Sequence, residues 1–203
     1  MRVCLINGSP KYKDSASGLF LEALEQKLGD EFEYSRCATA SIDLQDLLTC
    51  MRDSDVIVIA FPLYIDGIPS HLLRLLHSAE PHIAAIAPNA KLYGIALNGF
   101  YEGRQNQTAL EMLRNFCERA GLCWGQGAGF GASPMVHAIP VGTGLNKKMG
   151  DTLDVLASNI IAKQSSDDIF TQTGMPRFLY IMGGNMGWKR QAKENGLSSK
   201  ELY

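Results

Sequence analysis

A short apolar run, Val3 to Ile6, ends at Asn7-Gly8-Ser9-Pro10-Lys11, and Ser15-Ala16-Ser17 follows just ahead of an apolar-periodic segment. The hydroxyls of Ser9, Ser15 and Ser17 are donors of the kind that hold an oxyanion. Gly8 lets the backbone turn tightly or come close to a ligand. A helix beginning near Ser15 would add its free N–H groups and the positive end of its dipole to the same spot. Together these features suit a phosphate, with Lys11 either assisting or simply solvated. The plainer alternative is a turn in which Ser15 or Ser17 caps a helix. No Gly-Lys-Ser/Thr is present, so this is not a Walker loop.

Two further stretches could meet a planar ligand. Phe61-Pro62-Leu63-Tyr64-Ile65-Asp66-Gly67-Ile68-Pro69-Ser70 follows a second apolar run. Surface connections are normally polar, so this one is unusual. Its apolar and aromatic groups could cover the face or edge of a ring, and the bracketing prolines would lower the ordering cost of binding. Leu63 and Tyr64 could equally pack on neighbouring helices or a second subunit. Asn98-Gly99-Phe100-Tyr101-Glu102-Gly103 offers an amide and backbone groups for a heterocycle's polar edge, with Phe100 and Tyr101 as walls, or forms a turn with surface aromatics.

These stretches need elements to bring them together. Val3–Ile6 and Val56–Ala60 read as buried strands, 92–97 as a fourth strand, and 122–128 as a fifth, weakened by Gly125 and Gly127. Phe32 and Tyr34 alternate with Glu31, Glu33 and Ser35, which predicts a wetter strand at a sheet edge. Helical spacing joins Phe20, Ala23, Leu24 and Leu28; Leu44, Leu47, Leu48 and Met51; Leu72, Leu75, Leu76 and Ala79; Ala109, Met112, Leu113, Phe116, Cys117 and Ala120; and Leu153, Leu156, Ala157, Ile160 and Ile161. Alternating strands and helices imply an α/β fold with a parallel sheet. Five units fit an open, doubly wound sheet of order 2-1-3-4-5 and not an eight-unit barrel. Ligands of such sheets bind beyond the carboxyl ends of the strands, where the loops after strands one, three and four lie. Residues 1–163 form this domain. Residues 164–203 are an extension, expected to be helical, packed on the domain or buried in an oligomer interface. Trp188 beside Lys189 and Arg190 gives membrane contact as the lesser alternative.

The chain has 203 residues, enough for one domain with an appendage. Apolar residues are 46% and charged residues 20%, as in an ordinary globular protein. With 19 basic and 21 acidic residues, net charge is −2, and the broad basic footprint of a nucleic-acid binder is missing. No run approaches the roughly 20 apolar residues of a membrane span, and the first residues do not read as a secretory signal. Five cysteines, with no C-x-x-C pair, read as reduced, mostly buried thiols of a cytoplasmic protein. Gly127-Ala128-Gly129-Phe130-Gly131-Ala132 matches G-x-G-x-x-A but follows the fifth strand with no helix opening after it, so it is set aside. His71, His77, His82 and His137 lack ligand spacing, and G-x-S-x-G is absent.

The motif Asn7-Gly8-Ser9-Pro10-Lys11 with Ser15-x-Ser17, then Pro62-Leu63-Tyr64, then Asn98-Gly99-Phe100, resembles the NADPH-dependent FMN reductase family of the flavodoxin-like superfamily over residues 1–163. The resemblance implies that Ser9, Pro10, Lys11, Ser15, Ala16 and Ser17 hold the FMN phosphate. It implies that Pro62, Leu63, Tyr64 and Ile65 lie against the flavin, with Asn98, Gly99 and Phe100 at its polar edge. Ala16 stands where the family often has Asn, which leaves a backbone N–H to serve, and Lys11 where Arg is frequent. The loop after strand three has no cysteine, so no iron–sulfur cluster is expected. The implied activity is FMN-dependent transfer of electrons from NAD(P)H to a quinone, flavin or other small acceptor, by a homodimer or homotetramer, with no catalytic side chain and no metal. Two other readings stay open: an electron carrier serving a protein partner, and a non-redox binding module that has lost FMN.

Overall fold

The structure is a computed structural model that describes residues 1–11, 13–198 and 201. Along the chain run β1 (Arg2–Asn7), α1 (Ala16–Leu28), β2 (Glu33–Ala38), α2 (Leu44–Met51), β3 (Val56–Pro62), α3 (Ser70–Ile86), β4 (Lys91–Leu97), α4 (Gln107–Arg119), β5 (Cys123–Phe130), α5 (Lys147–Ile161), β6 (Ile169–Thr171) and α6 (Arg177–Glu194). The strands form one parallel sheet of order β2-β1-β3-β4-β5-β6. The half-exposed β2 lies at one edge, and β1, β3 and β4 are buried on both faces, as their apolar runs require. One face of the sheet packs Ile57 and Ile59 against Leu47, Leu72, Leu76 and Phe116 of α2, α3 and α4. The other packs Val58 and Ile95 against Phe20, Leu24, Leu153 and Leu156 of α1 and α5. The sheet is doubly wound.

The expectation of five strands is corrected to six. β6 is only three residues long, too short for a period-2 pattern to show in the sequence. What holds it is the side chain just before it. Asp168 Oδ1 accepts hydrogen bonds from the Gly127 N–H at 2.7 Å and the Trp124 indole N–H at 3.2 Å. Its Oδ2 accepts from the Arg114 guanidinium at 2.8 Å. Glycine in β5 leaves the room: a Cβ on Gly127 would sit 2.9 Å from Asp168 Oδ1, and one on Gly129 would sit 2.7 Å from the Phe170 ring. This explains Gly127 and Gly129 of the G-x-G-x-x-A stretch without a dinucleotide. Because β6 completes the sheet, the compact unit runs from Met1 to Thr173, past residue 163.

A second unit, Gly174–Tyr203, contains α6. Phe178, Ile181, Met182 and Met186 recur at helical spacing along it and are exposed, as is Trp188. Among the described residues no helix is long and apolar enough to cross a membrane. Cys4, Cys50 and Cys117 are buried, Cys37 is partly so, and Cys123 is exposed.

Candidate functional site

Sheet register brings the three selected loops side by side. Asn7, the last residue of β1, pairs with Ala60 of β3, and Pro62, the last of β3, pairs with Leu97 of β4. The loops leaving these strands therefore share the carboxyl edge of the sheet. The end of β2 joins them through Thr39, whose N–H donates to Asn7 O at 2.9 Å.

The first loop is a set of nested turns centred on Asn7. Asn7 Oδ1 accepts from the Ser9 N–H at 3.1 Å, and Ser9 Oγ accepts from the Lys11 N–H at 3.1 Å. Asn7 Nδ2 reaches across the loop and donates to Ser15 Oγ at 3.0 Å. Ser15 is the N-cap of α1, its Oγ also accepting from the Gly18 N–H at 3.1 Å. With two bonds accepted, the Ser15 hydroxyl keeps its own proton to donate elsewhere. The first helical bond runs from the Leu19 N–H to Ser15 O, so the N–H groups of Ala16 and Ser17 lie ahead of the ladder. Ser17 is 1% exposed, and its buried Oγ has no hydrogen-bond partner. A buried hydroxyl left without a partner costs free energy, which is unusual unless something else satisfies it. Lys11 and Lys13 are exposed on the same loop.

Gly8 fixes this loop to the sheet. Its N–H donates to Ala60 O at 2.7 Å, and a Cβ there would meet Leu72 Cδ2 at 2.5 Å and Phe61 Cβ at 3.0 Å. Gly8→Ala should lift the loop away from β3 and lower stability by about 1–3 kcal/mol, the usual range for overpacking. Urea denaturation checks this, and an unchanged midpoint would refute the packing account.

After β3 the chain turns back at once. Tyr64 and Gly67 exchange backbone hydrogen bonds, N–H to O, at 3.0 and 3.1 Å. The two residues between them, Ile65 and Asp66, both take positive φ, 48° and 57°. That is the geometry of a two-residue hairpin turn that favours Asn-Gly, and a β-branched residue in it is strained. Such strain persists where the surroundings hold it, and it gathers at binding sites. The turn leaves Ile65 fully exposed and Tyr64 half-exposed at the tip. With Phe100 from the loop after β4, these residues line a cavity of about 560 Å³ whose remaining walls are Leu63, Asp66, Ile68 and Ser70.

The loop after β4 is held firmly. Asn98 donates from its N–H to Phe130 O at 3.0 Å and from Nδ2 to Glu102 O at 3.1 Å. Its carbonyl accepts from the Ser133 N–H and hydroxyl at 3.0 and 2.9 Å. Asn98 Oδ1 is buried without a partner, the second such acceptor or donor among the selected residues. A second hollow of about 660 Å³ lies along α3 and α4, lined by Ser70, Leu73, Leu76, Met112 and Phe116.

The structure therefore gathers Ser9, Ser15, Ala16 and Ser17 around one helix N-terminus, with Pro10 and Lys11 on the exposed rim. It gathers Leu63, Tyr64, Ile65 and Phe100 around one cavity. Pro62 ends β3 beside that cavity, and Gly99 separates the buried Asn98 from the exposed Phe100. Asn7, which sequence reasoning did not select, is the organiser of the first loop; its place at the strand end before Gly-Ser-Pro was the available signal. Thr39 and His71 were also not selected. Thr39 Oγ1 contacts His71 Nε2 at 3.1 Å, next to Asn7. Burial, then the charge of Arg74, holds the His71 imidazole below its ordinary pKa.

No protein-family model and no curated protein matches the sequence. Solved structures do match. An apo NADH:FMN oxidoreductase superposes with a TM-score of 0.61 at 16% identity, covering 81% of this chain and 90% of that one. The chain has the flavodoxin-like fold. A flavodoxin of Streptococcus pneumoniae TIGR4 matches with a TM-score of 0.57 at 13% identity, over 80% of this chain and 99% of that one. An azoreductase from Bacillus anthracis matches with a TM-score of 0.53 at 10% identity, over 80% and 99%. In this fold the carboxyl edge beside β1 and β3 is the topological switch point, where ligands bind; the flavodoxin FMN site is the standard example of that rule.

Proposed function

We propose that this protein binds FMN at the carboxyl edge and passes electrons from NAD(P)H to a small acceptor such as a quinone, a flavin or an azo compound. The observation that carries the reading is Ser17 Oγ, buried and unpartnered in the first turn of α1, inside a loop that Asn7 and Ser15 staple into shape. A phosphate is the group this arrangement fits, because it brings several acceptor oxygens to a place rich in donors. Ser9, Ser15 and Ser17 would donate from their hydroxyls and Ala16 from its backbone N–H, with Lys11 adding charge from the rim. Pro62, Leu63, Tyr64 and Ile65 would lie along the ring system, Phe100 opposite, and Gly99 would let the chain come close. Asn98 Oδ1, buried and unpartnered, would accept from the ring's imide N–H. Bound there, FMN supplies the two-electron chemistry, and the chain's work is to bind it, orient it and keep water from its apolar side. The structural neighbours named for FMN and azo reduction support this reading.

The test is the visible spectrum of freshly purified protein, followed by calorimetric titration of the flavin-free chain with FMN. The expected result is saturable, one-to-one binding, and then oxidation of NADH or NADPH with a quinone, flavin or azo acceptor. Absence of FMN binding would overturn the site. Binding without NAD(P)H oxidation, together with fast exchange with a flavoprotein reductase, would replace the enzyme with an electron carrier.

A further inference from the structure

Away from the carboxyl edge, three of the five cysteines meet in one corner of the core. Cys4 lies in β1, Cys37 in the neighbouring β2, and Cys50 at the next-to-last position of α2, which covers that face of the sheet. The Cys4 and Cys50 sulfurs are 3.4 Å apart, and Cys37 packs against the same cluster. Ser35, in register with Cys4, donates to Cys50 O at 2.7 Å and ties the end of α2 to the strand. Among the described residues no group of His, Cys, Asp or Glu is placed to hold a metal ion, so metal binding does not account for the trio.

We propose that Cys4 and Cys50 form a reversible, peroxide-driven disulfide, with Cys50 the sulfur that attacks the oxidant. The sulfurs need to close from 3.4 Å to about 2.05 Å. Only α2 has to yield, and it is short and at the edge of the fold. Access points the same way: Cys50 is 9% exposed and Cys4 is sealed at 0%. Of these two thiols a small peroxide therefore meets Cys50 first, with Cys4 behind it as the resolving thiol. Electrostatics agrees, because hydrogen bonds from Cys37 and then Cys4 pull the Cys50 thiol well below its ordinary range against the effect of burial, helped by the charge of Arg2. The Cys4 and Cys37 thiols are pushed up and stay protonated.

The chemistry balances in two steps. The Cys50 thiolate attacks one oxygen of hydrogen peroxide, the O–O bond breaks, and sulfenic acid and hydroxide result. The Cys4 thiol then attacks the sulfenic sulfur, an S–S bond replaces the S–O bond, and the oxygen leaves as water with the thiol proton. Peroxide is reduced by two electrons and the thiol pair is oxidised by two. The link joins residues 46 apart, from β1 to α2.

The experiment treats the reduced full-length protein with hydrogen peroxide, alkylates the remaining thiols in denaturant, and maps peptides by mass spectrometry. Thiols should fall from the five in the sequence to three, with Cys4 and Cys50 in one linked peptide, and dithiothreitol should restore all five. In Cys4→Ala, dimedone should trap the Cys50 sulfenic acid; Cys50→Ala should leave Cys4 fully alkylated. Oxidation confined to the exposed Cys123, or a link from Cys37 to Cys50, would overturn the proposal. The wild-type result decides the matter even if a variant fails to fold.

Discussion

Alanine at Ser17 should make the ligand-free protein more stable and its grip on FMN weaker. The Ser17 hydroxyl is buried and has no partner, so its removal lifts a desolvation penalty of about 1 kcal/mol. The same removal deletes a donor to phosphate, and a hydrogen bond to a charged group is worth about 1.5–3 kcal/mol. That corresponds to a loss of affinity of roughly tenfold or more. Urea denaturation of the flavin-free chain and calorimetric titration with FMN read the two effects separately. Ser15→Ala supplies the contrast, because Ser15 caps α1 and anchors Asn7. Loss of the cap costs about 1 kcal/mol, so both stability and affinity should fall there. If Ser17→Ala also lowers both, Ser17 is structural and the phosphate assignment fails.

Much of this arrangement can be read from residue types alone, because the interactions that set it are local. β1 and β3 sit inside the sheet since every residue from Val3 to Ile6 and from Val56 to Ala60 is apolar and needs cover on both sides. β2 sits at the edge since Glu33 and its polar neighbours need water. The first loop is legible because Gly8, Ser9, Ser15 and Ser17 act within a dozen residues of one another. What stays hidden depends on contacts that form only as the chain folds. The role of Asn7 rests on a bond to Ser15 that exists only once the loop has closed. The turn at Ile65-Asp66 is hidden for a different reason. Its residues contradict the turn's own preference, and reciprocal bonds between Tyr64 and Gly67 impose the conformation. β6 is hidden most fully, since its three residues pair only because Asp168 finds Gly127, Trp124 and Arg114, more than 40 positions back.

That dependence makes Asp168 the position where one substitution should unmake the most structure. In Asp168→Ala the buried Gly127 N–H and the Trp124 indole N–H lose their acceptor, and Arg114 loses its carboxylate. Each unsatisfied donor costs about 1–3 kcal/mol. The ion pair adds little, because Arg114 is 40% exposed and solvent screens it. A total of about 2–6 kcal/mol is expected from these two donors. Asp168→Asn keeps an acceptor for Gly127 and should recover part of the loss. The damage should also reach the site. Thr171 O accepts from the Gly131 N–H at 2.9 Å, and Gly103 packs so closely that a Cβ would sit 2.2 Å from that same oxygen. β6 is thus the floor beneath the loop that carries Asn98 and Phe100. Hydrogen exchange should show residues 98–106 opening together with 168–171 in the alanine variant, while the bonded N–H groups of Gly8 and Gly18 keep their protection. FMN affinity should fall because the ring loses one wall while its phosphate site persists. Inorganic phosphate separates the two contributions: it should compete with FMN equally well in the variant and the parent. Global unfolding of Asp168→Ala with no selective opening of β6 and the loop would show that Asp168 serves the whole core and not this wall.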